Sequence, residues 1–166
     1  GLYRTRLARG VWRDRERPIL INNWEATYFD FNEEKILEIA SKAQELGIEL
    51  FVLDDGWFGK RNWDDSSLGD WYPNLEKLPE GITGLARKIQ DMGLKFGLWF
   101  EPEMTNKDSD LFPAHPDWVL ADIRRPYSHG RNQYVLDFSK EEVVDCVYRQ
   151  MKKILEDAPV SYVKWD

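Results

Sequence analysis

The chain alternates between short apolar runs and longer segments in which apolar residues recur every three or four positions. The apolar runs are as short as buried strands usually are, and they cover residues 18–23, 48–53, 95–100 and 160–165. The helical spacing fills the gaps between them, over residues 33–46, 82–92 and 139–158. The pattern therefore predicts four strands joined by three helices, which is typical of an α/β fold.

Residues with known preferences for helix ends mark the boundaries of these helices. Gly47 and Gly93 directly follow the first two periodic segments, where a glycine commonly caps a helix C-terminus. Ser139 and Glu142 have the spacing of a capping box, which predicts that Ser139 begins the third helix.

The connections are short on one side of the strands and long on the other. Each helix returns to the next strand within a few residues, whereas residues 54–81 and 101–139 form two long exits from strands. This asymmetry is typical of an α/β barrel, whose active site is built from loops at the strand C-termini. Residues 134–138 are apolar enough to be extended, and we interpret them as part of the second exit loop.

The predicted fold class is therefore a (β/α)8 TIM barrel of which about the first four strands are present. A complete barrel takes about 250 residues and eight strands. We expect residues 18–166 to form the first half of a catalytic barrel and residues 1–17 to be an entry segment from a missing N-terminal domain. A doubly wound sheet is the alternative, but it usually carries a glycine-rich loop after its first strand, where this chain has residues 22–25, Asn-Asn-Trp-Glu.

Composition and charge exclude several classes of protein. The hydrophobic fraction of 42% and the aromatic fraction of 14% are too high for a disordered chain. The net charge of −7 argues against a nucleic-acid partner, because phosphate binding needs a basic face. Six arginines fall within residues 4–17, and we interpret them as a solvated entry strand or a contact to missing sequence.

A single cysteine, Cys146, excludes an internal disulfide framework and a metal site with several thiolates. It lies on the apolar side of the third helix, where we expect a core residue, and it is consistent with a reducing compartment. No apolar run approaches the roughly 20 residues of a membrane span. We therefore expect a cytoplasmic location and no membrane partner.

Carboxylates, a lysine and tryptophans stand at the C-terminal ends of the predicted strands. They are Trp24, Asp54, Asp55, Trp57, Trp99, Glu101, Glu103, Lys164 and Asp166. Carboxylates accept hydrogen bonds from several hydroxyl groups, and a tryptophan face can pack on the C–H face of a sugar. With no histidine or cysteine ligands among them, the set favours a carbohydrate over a phosphate or a metal ion.

Each of these signals also has a purely structural interpretation. Residues 54–56, Asp-Asp-Gly, are equally compatible with a tight turn, and residues 101–103 with the start of an exposed loop. Lys164 and Asp166 share one face of a strand and could be only a structural ion pair. His115 and His129 have no partner at the spacing of metal ligands. We assign a packing role to four further tryptophans, Trp63, Trp71, Trp118 and Trp165.

Taken together and in this order, five stretches resemble the bacterial α-galactosidases of glycoside hydrolase family 36. The stretches are Asn22-Asn23-Trp24-Glu25-Ala26, Leu53-Asp54-Asp55-Gly56-Trp57-Phe58-Gly59, Gly97-Leu98-Trp99-Phe100-Glu101-Pro102-Glu103, Gly130-Arg131-Asn132-Gln133 and Tyr162-Val163-Lys164-Trp165-Asp166. The resemblance extends from about residue 18 to the end of the chain.

The resemblance implies a role for seven residues. Asp166 would be the catalytic nucleophile, and Asp54 and Asp55 would bind the galactose hydroxyls O4 and O6. Trp99, Arg131 and Lys164 would line the galactose subsite, with Trp24 at its rim. The general acid/base of the family would lie beyond residue 166, so that this chain alone would be inactive.

The implied activity is retaining hydrolysis of terminal α-galactosyl residues, as in melibiose and raffinose, through a covalent galactosyl-enzyme and without a cofactor or metal ion. Such an enzyme needs two carboxylates about 5–5.5 Å apart. Three alternatives stay open: a raffinose-synthase-type galactosyltransferase or α-N-acetylgalactosaminidase of the same family, a sugar-binding fragment without catalysis, and a structural half-barrel that dimerises. For the full-length enzyme we expect a homo-oligomer.

Overall fold

A computed structural model describes residues 1–121 and 130–166 of the chain, so His129 lies outside the described residues. The strands are β1 (Leu20–Asn22), β2 (Leu50–Leu53), β3 (Lys95–Phe100), β4 (Met104–Asn106), β5 (Gln133–Val135) and β6 (Val160–Trp165). The α-helices are α1 (Trp24–Thr27), α2 (Glu33–Glu45), α3 (Gly81–Asp91), α4 (Leu111–Ala114) and α5 (Glu141–Asp157). Shorter helical turns cover Tyr3–Leu7, Gly10–Arg13 and Pro116–Trp118.

The main sheet contains four parallel strands in the order β1-β2-β3-β6. Helices α2, α3 and α5 make the three crossovers between them, which confirms the predicted alternation of strands and helices and the α/β fold. Strand β2 is buried along its whole length, as expected for a parallel strand covered on both faces. Because all four strands run the same way, the polar residues that follow them meet at one edge of the sheet.

The core lies between this sheet and its three crossover helices. Ile36, Leu85 and Val147 from the helices are at most 4% exposed and belong to the same cluster as Phe51 and Phe96 of the sheet. Each such buried side chain contributes about 1.5–3 kcal/mol to folding. Cys146 is half-buried and packs against this cluster, as predicted from its position on α5.

The helix ends confirm two of the predicted caps and contradict the third. Gly47 and Gly93 adopt positive φ angles of 79° and 89° after α2 and α3, a conformation that glycine reaches without strain. The capping box was wrong: α5 begins at Glu141, and the Ser139 hydroxyl donates a 2.6 Å hydrogen bond to the Asp137 carboxylate. The Ser139 hydroxyl is thus bound to Asp137 and does not cap the backbone of α5, although its spacing from Glu142 predicts a cap.

The interpretation of residues 134–138 as part of a loop is confirmed. Strand β5 pairs antiparallel with β4, and these two strands form a separate sheet within the long connection from β3 to α5. The crossover from β3 to the next parallel strand therefore carries its own small folded unit.

Two expectations about the surface were wrong. Residues 1–17 contain exposed helical turns instead of an entry strand, although their arginines are solvated as expected. Trp71 and Trp118 are buried as predicted, but Trp63 and Trp165 are each 56% exposed. The Trp165 indole instead donates hydrogen bonds of 3.0 and 3.1 Å to the Glu103 carboxylate.

One buried carboxylate makes the stability of the loops dependent on pH. Asp70 accepts hydrogen bonds from the backbone N–H groups of Asp110 and Leu111 at the start of α4, and burial raises its pKa from 3.8 to about 6. Between these two values the folded chain holds a proton that the unfolded chain has lost. We expect this group to lower the free energy of unfolding by about 2–3 kcal/mol as pH rises from 4 to 6.

Urea-induced unfolding of the protein and of the Asp70→Asn variant at both pH values measures this contribution. The difference in stability between the two proteins should change between pH 4 and 6. A constant difference would contradict the assignment to Asp70.

The edges of the main sheet predict self-association of the 166-residue chain. Within the described residues, β1 and β6 each pair on one side only, and Leu20, Tyr162 and Trp165 on them are 40–56% exposed. Unpaired edges with apolar side chains pair readily with other chains. Light scattering of the purified chain should detect oligomers, and a monomer that binds no apolar dye would contradict this expectation.

Candidate active site

Asp54 stands at the centre of the polar edge, directly after β2. Its Oδ2 accepts a 2.8 Å hydrogen bond from Lys164 Nζ on β6 and another from the Asn22 side chain on β1. Its own backbone N–H donates to Asn23 Oδ1 at 2.8 Å. The Asp54 carboxylate is only 3% exposed, and side chains from β1 and β6 hold its position.

Asp166 follows β6 and is held from two directions. Its backbone N–H donates a 2.9 Å hydrogen bond to the Phe100 carbonyl, which extends the pairing of β6 with β3. The Trp99 indole donates at 2.9 Å to Asp166 Oδ2, and Lys164 Nζ lies 3.9 Å from the same oxygen. Oδ1 makes no hydrogen bond with any other described residue.

Asp55 forms a buried ion pair that the sequence did not reveal. Arg61 donates to both carboxylate oxygens of Asp55, at 2.9 and 2.7 Å, and its side chain is 1% exposed. Burial raises the pKa of Asp55, and the Arg61 guanidinium opposes that shift. Three cations fall within residues 54–81, at positions 60, 61 and 77. Composition alone could not indicate which of them pairs with Asp55.

Arg131 lies near the same edge, on the loop that enters β5. Arg131 and Asn132 adopt φ angles of 51° and 55°, and the Gln133 N–H closes their turn on the Gly130 carbonyl at 2.9 Å. A residue other than glycine in this conformation costs about 1–3 kcal/mol. The strain marks the turn as one that the surrounding structure enforces.

Glu101 connects this turn to the strand tips. Its carboxylate accepts a 3.3 Å hydrogen bond from the Gln133 side chain. Burial raises the pKa of Glu101, the positive charges of Arg131 and Arg61 lower it, and the charge of Asp166 raises it further. The Glu101 carboxylate therefore lies within electrostatic reach of both Arg131 and Asp166.

Trp24 begins α1 at the same edge, immediately after β1. Its backbone N–H donates to Asn22 Oδ1 at 2.8 Å, and its half-buried ring packs edge-on against Tyr28 and Phe29. Asn22 thereby contacts both Trp24 and Asp54, which places the tryptophan beside the carboxylate cluster.

Lys77 is a half-buried cation that sequence reasoning missed. Its ammonium group donates 3.0 Å hydrogen bonds to the carbonyl oxygens of Phe29, Gly56 and Arg61, and burial lowers its pKa to about 8. Gly56 has a φ of 103°, and a Cβ there would lie 3.1 Å from the rings of Phe29 and Phe31. The chain bends at Asp55, and Gly56 lets it pass close to these two rings.

The geometry therefore brings the seven predicted residues to one edge of the sheet. Asp54, Lys164, Asp166 and Trp99 are joined by direct contacts, whereas Asp55, Arg131 and Trp24 are adjacent through other side chains. Among the described residues, no group of three or more His, Cys, Asp or Glu side chains could hold a metal ion. No helix in the described parts of the chain is long and apolar enough to cross a membrane. Carboxylates, cations and an indole at an open edge suit a ligand rich in hydroxyl groups.

Comparison with known proteins identifies the family to which this chain belongs. The Melibiase family model matches residues 1–166. The chain is 63% identical over 165 residues to alpha-galactosidase AgaA of Geobacillus stearothermophilus, covering 99% of this chain and 23% of that protein. It is 50% identical over 166 residues to alpha-galactosidase Mel36A of Lactobacillus acidophilus, covering 100% of this chain and 23% of that protein. The chain thus spans about a quarter of the length of these relatives.

A solved structure of an AgaA variant in complex with raffinose superposes with a TM-score of 0.96 at 62% identity, covering 99% of this chain and 23% of that one. At this identity and TM-score, the backbone of this chain corresponds to that of a protein whose structure was solved in complex with raffinose.

Proposed function

Because the chain belongs to the melibiase family, we propose that it forms part of the active site of a retaining α-galactosidase of glycoside hydrolase family 36. In this proposal, residues 18–166 are the first half of a catalytic (β/α)8 barrel and residues 1–17 enter it from a preceding domain. The substrates are terminal α-galactosyl residues of oligosaccharides such as melibiose and raffinose. The parallel sheet, the polar strand ends and the raffinose complex of the AgaA variant support this assignment.

The observation that carries the proposal is the environment of Asp166. Trp99 and Lys164 both face Oδ2, while Oδ1 makes no hydrogen bond with any other described residue. A nucleophilic carboxylate needs one oxygen held in place and the other free to attack. Asp166 is therefore assigned as the nucleophile, with Trp99 and Lys164 orienting it.

The other residues bind the galactosyl group. Asp54 and Asp55 accept hydrogen bonds from the hydroxyls O4 and O6, each carboxylate keeping free lone pairs beside its bound cation. Lys164 and Arg131 donate to sugar oxygens, and the half-buried Trp24 covers an apolar part of the ring. Trp99 is only 2% exposed, so it lines the subsite through its indole N–H on Asp166 and not through its ring face. Because Asp54 and Asp55 are buried and paired with cations, they keep fixed positions whether or not a sugar is bound.

The reaction then proceeds by double displacement. Asp166 Oδ1 attacks the anomeric carbon, the glycosidic bond breaks, and a carboxylic acid outside this chain gives its proton to the leaving oxygen. Water, deprotonated by that same group, next attacks the anomeric carbon and releases Asp166, so that the α configuration is retained. The partner carboxyl lies beyond residue 166 in this proposal.

A hybrid enzyme tests the proposal with this chain's own residues. In it, the chain replaces the matching 165-residue segment of Geobacillus stearothermophilus AgaA. We expect the hybrid to hydrolyse p-nitrophenyl α-galactoside and raffinose, and not the β-galactoside, with kcat/KM within about tenfold of AgaA. A folded hybrid that binds galactose but does not hydrolyse either α-galactoside would contradict the proposal.

Two broader expectations remain predictions. They are the homo-oligomeric state of the full-length enzyme and its cytoplasmic location.

A further inference from the structure

A buried polar chain links two parts of the candidate site that lie far apart in sequence. It starts at the Asp55–Arg61 ion pair in the exit loop of β2 and ends at the Arg131 turn before β5. Asn106, the last residue of β4, stands between them and is 0% exposed.

Every polar atom of the Asn106 side chain is used. Its Oδ1 accepts hydrogen bonds from the Leu68 N–H at 2.8 Å and from Arg61 Nη1 at 3.2 Å. Its Nδ2 donates to the Asn132 carbonyl at 3.1 Å. A buried asparagine with both ends satisfied fixes the relative position of its partners, because any shift leaves a polar atom without a hydrogen bond.

Arg61 and the Arg131 turn both depend on contacts from outside their own segments. Arg61 lies over the rings of Phe29 and Phe58, at 5.5 and 5.9 Å, and its orientation determines that of the Asp55 carboxylate. Arg131 and Asn132 adopt the left-handed conformation, which the chain does not prefer by itself. The Asn106 side chain donates its hydrogen bond to the Asn132 carbonyl, which belongs to this turn.

We propose that Asn106 is a positioning residue that joins the Asp55–Arg61 ion pair to the Arg131 turn and so sets the distance between two galactose-binding side chains. This inference rests on the proposed function for the identity of the ligand. The coupling between the two loops rests only on the hydrogen bonds of Asn106 described above. Asn106 itself touches no substrate in this arrangement.

The Asn106→Asp substitution in the hybrid enzyme breaks the end of the link at Asn132, while the carboxylate that it introduces strengthens the contact with Arg61. An aspartate still accepts hydrogen bonds from Leu68 and Arg61, but it places an oxygen against the Asn132 carbonyl. Loss of a binding contact that is equal in the ground and transition states raises KM and leaves kcat unchanged. We expect KM for p-nitrophenyl α-galactoside to rise about tenfold, with kcat changed by less than about threefold.

Thr105→Val is the matched control. Thr105 is equally buried and next to Asn106, and its hydroxyl bonds the same loop through the Leu68 carbonyl at 3.0 Å, without reaching the Asn132 carbonyl. This variant should keep the KM of the hybrid enzyme. Combining Asn106→Asp with Arg131→Ala should raise KM no further than Arg131→Ala alone, whereas additive effects would contradict the inference.

Hydrogen exchange separates this inference from the proposed function. The Gln133 N–H closes the Arg131 turn, so its exchange reports the turn without any substrate. We expect Asn106→Asp to accelerate exchange at Gln133 at least about tenfold and Thr105→Val to leave it unchanged. Unchanged exchange in Asn106→Asp, or equal acceleration in both variants, would overturn the inference, whatever the hydrolytic activity of the hybrid.

Discussion

Replacing Asp166 with glycine in the hybrid enzyme should lower kcat/KM for p-nitrophenyl α-galactoside at least about 10,000-fold, as in other enzymes that lose a nucleophile. The reason is geometric. Trp99 and Lys164 hold one oxygen of Asp166, and the other oxygen makes no hydrogen bond with any other described residue. Asp54 and Asp55 are buried and paired with cations, so neither of them can replace it.

Azide should restore turnover of this variant, because a small anion fits the space that the carboxylate leaves. The product should be β-galactosyl azide, since one displacement inverts the anomeric centre and the natural two displacements retain it. Asp64→Gly, at an exposed position in the exit loop of β2, is the control and should keep normal activity without azide. An α-galactosyl azide product, or normal hydrolysis by Asp166→Gly, would exclude Asp166 as the nucleophile.

The second large effect should follow from Arg61→Met. This substitution leaves the Asp55 carboxylate buried without its cation, and breaking a buried pair from one side costs about 3–5 kcal/mol. The same change should lower kcat/KM at least about tenfold, because Asp55 loses its orientation. Urea-induced unfolding, followed as the loss of hydrogen-exchange protection across residues 54–61, measures the stability.

Lys60→Met offers a matched control, since Lys60 is the neighbouring cation and is exposed. It should change the free energy of unfolding by less than about 0.5 kcal/mol. The double variant Asp55→Asn with Arg61→Met should be more stable than Arg61→Met alone, because no unpaired charge remains. If Arg61→Met costs no more than Lys60→Met, the ion pair does not hold this loop.

The sequence predicted those features that depend on neighbours along the chain. Strands β3 and β6 end at the predicted residues, because each is an apolar run bounded by a helix cap or a proline on one side and a carboxylate on the other. The parallel order then placed Asp54, Trp99 and Asp166 at one edge without further information.

Features that depend on the path of a long loop could not be predicted in this way. Arg61 and Asn106 are buried, and Lys77 is half-buried, through contacts that their own sequence neighbours do not specify. Ser139 has the right spacing for a cap, but Asp137 offers its hydroxyl a closer partner. The partners of Arg61, Lys77 and Asn106 come together only in the folded chain, whereas Asp137 is a local competitor that the capping pattern did not take into account.

The Lys164–Asp54 contact joins two residues 110 positions apart in the chain, which has a consequence for the order of biosynthesis. At about 5–20 residues per second, a ribosome adds Lys164 about 5–20 s after Asp54. During that interval β1, β2 and β3 can already pair, but the cation that makes burial of Asp54 favourable does not yet exist. The nascent chain therefore has to keep this carboxylate hydrated, and the site can close only when β6 emerges and docks on β3.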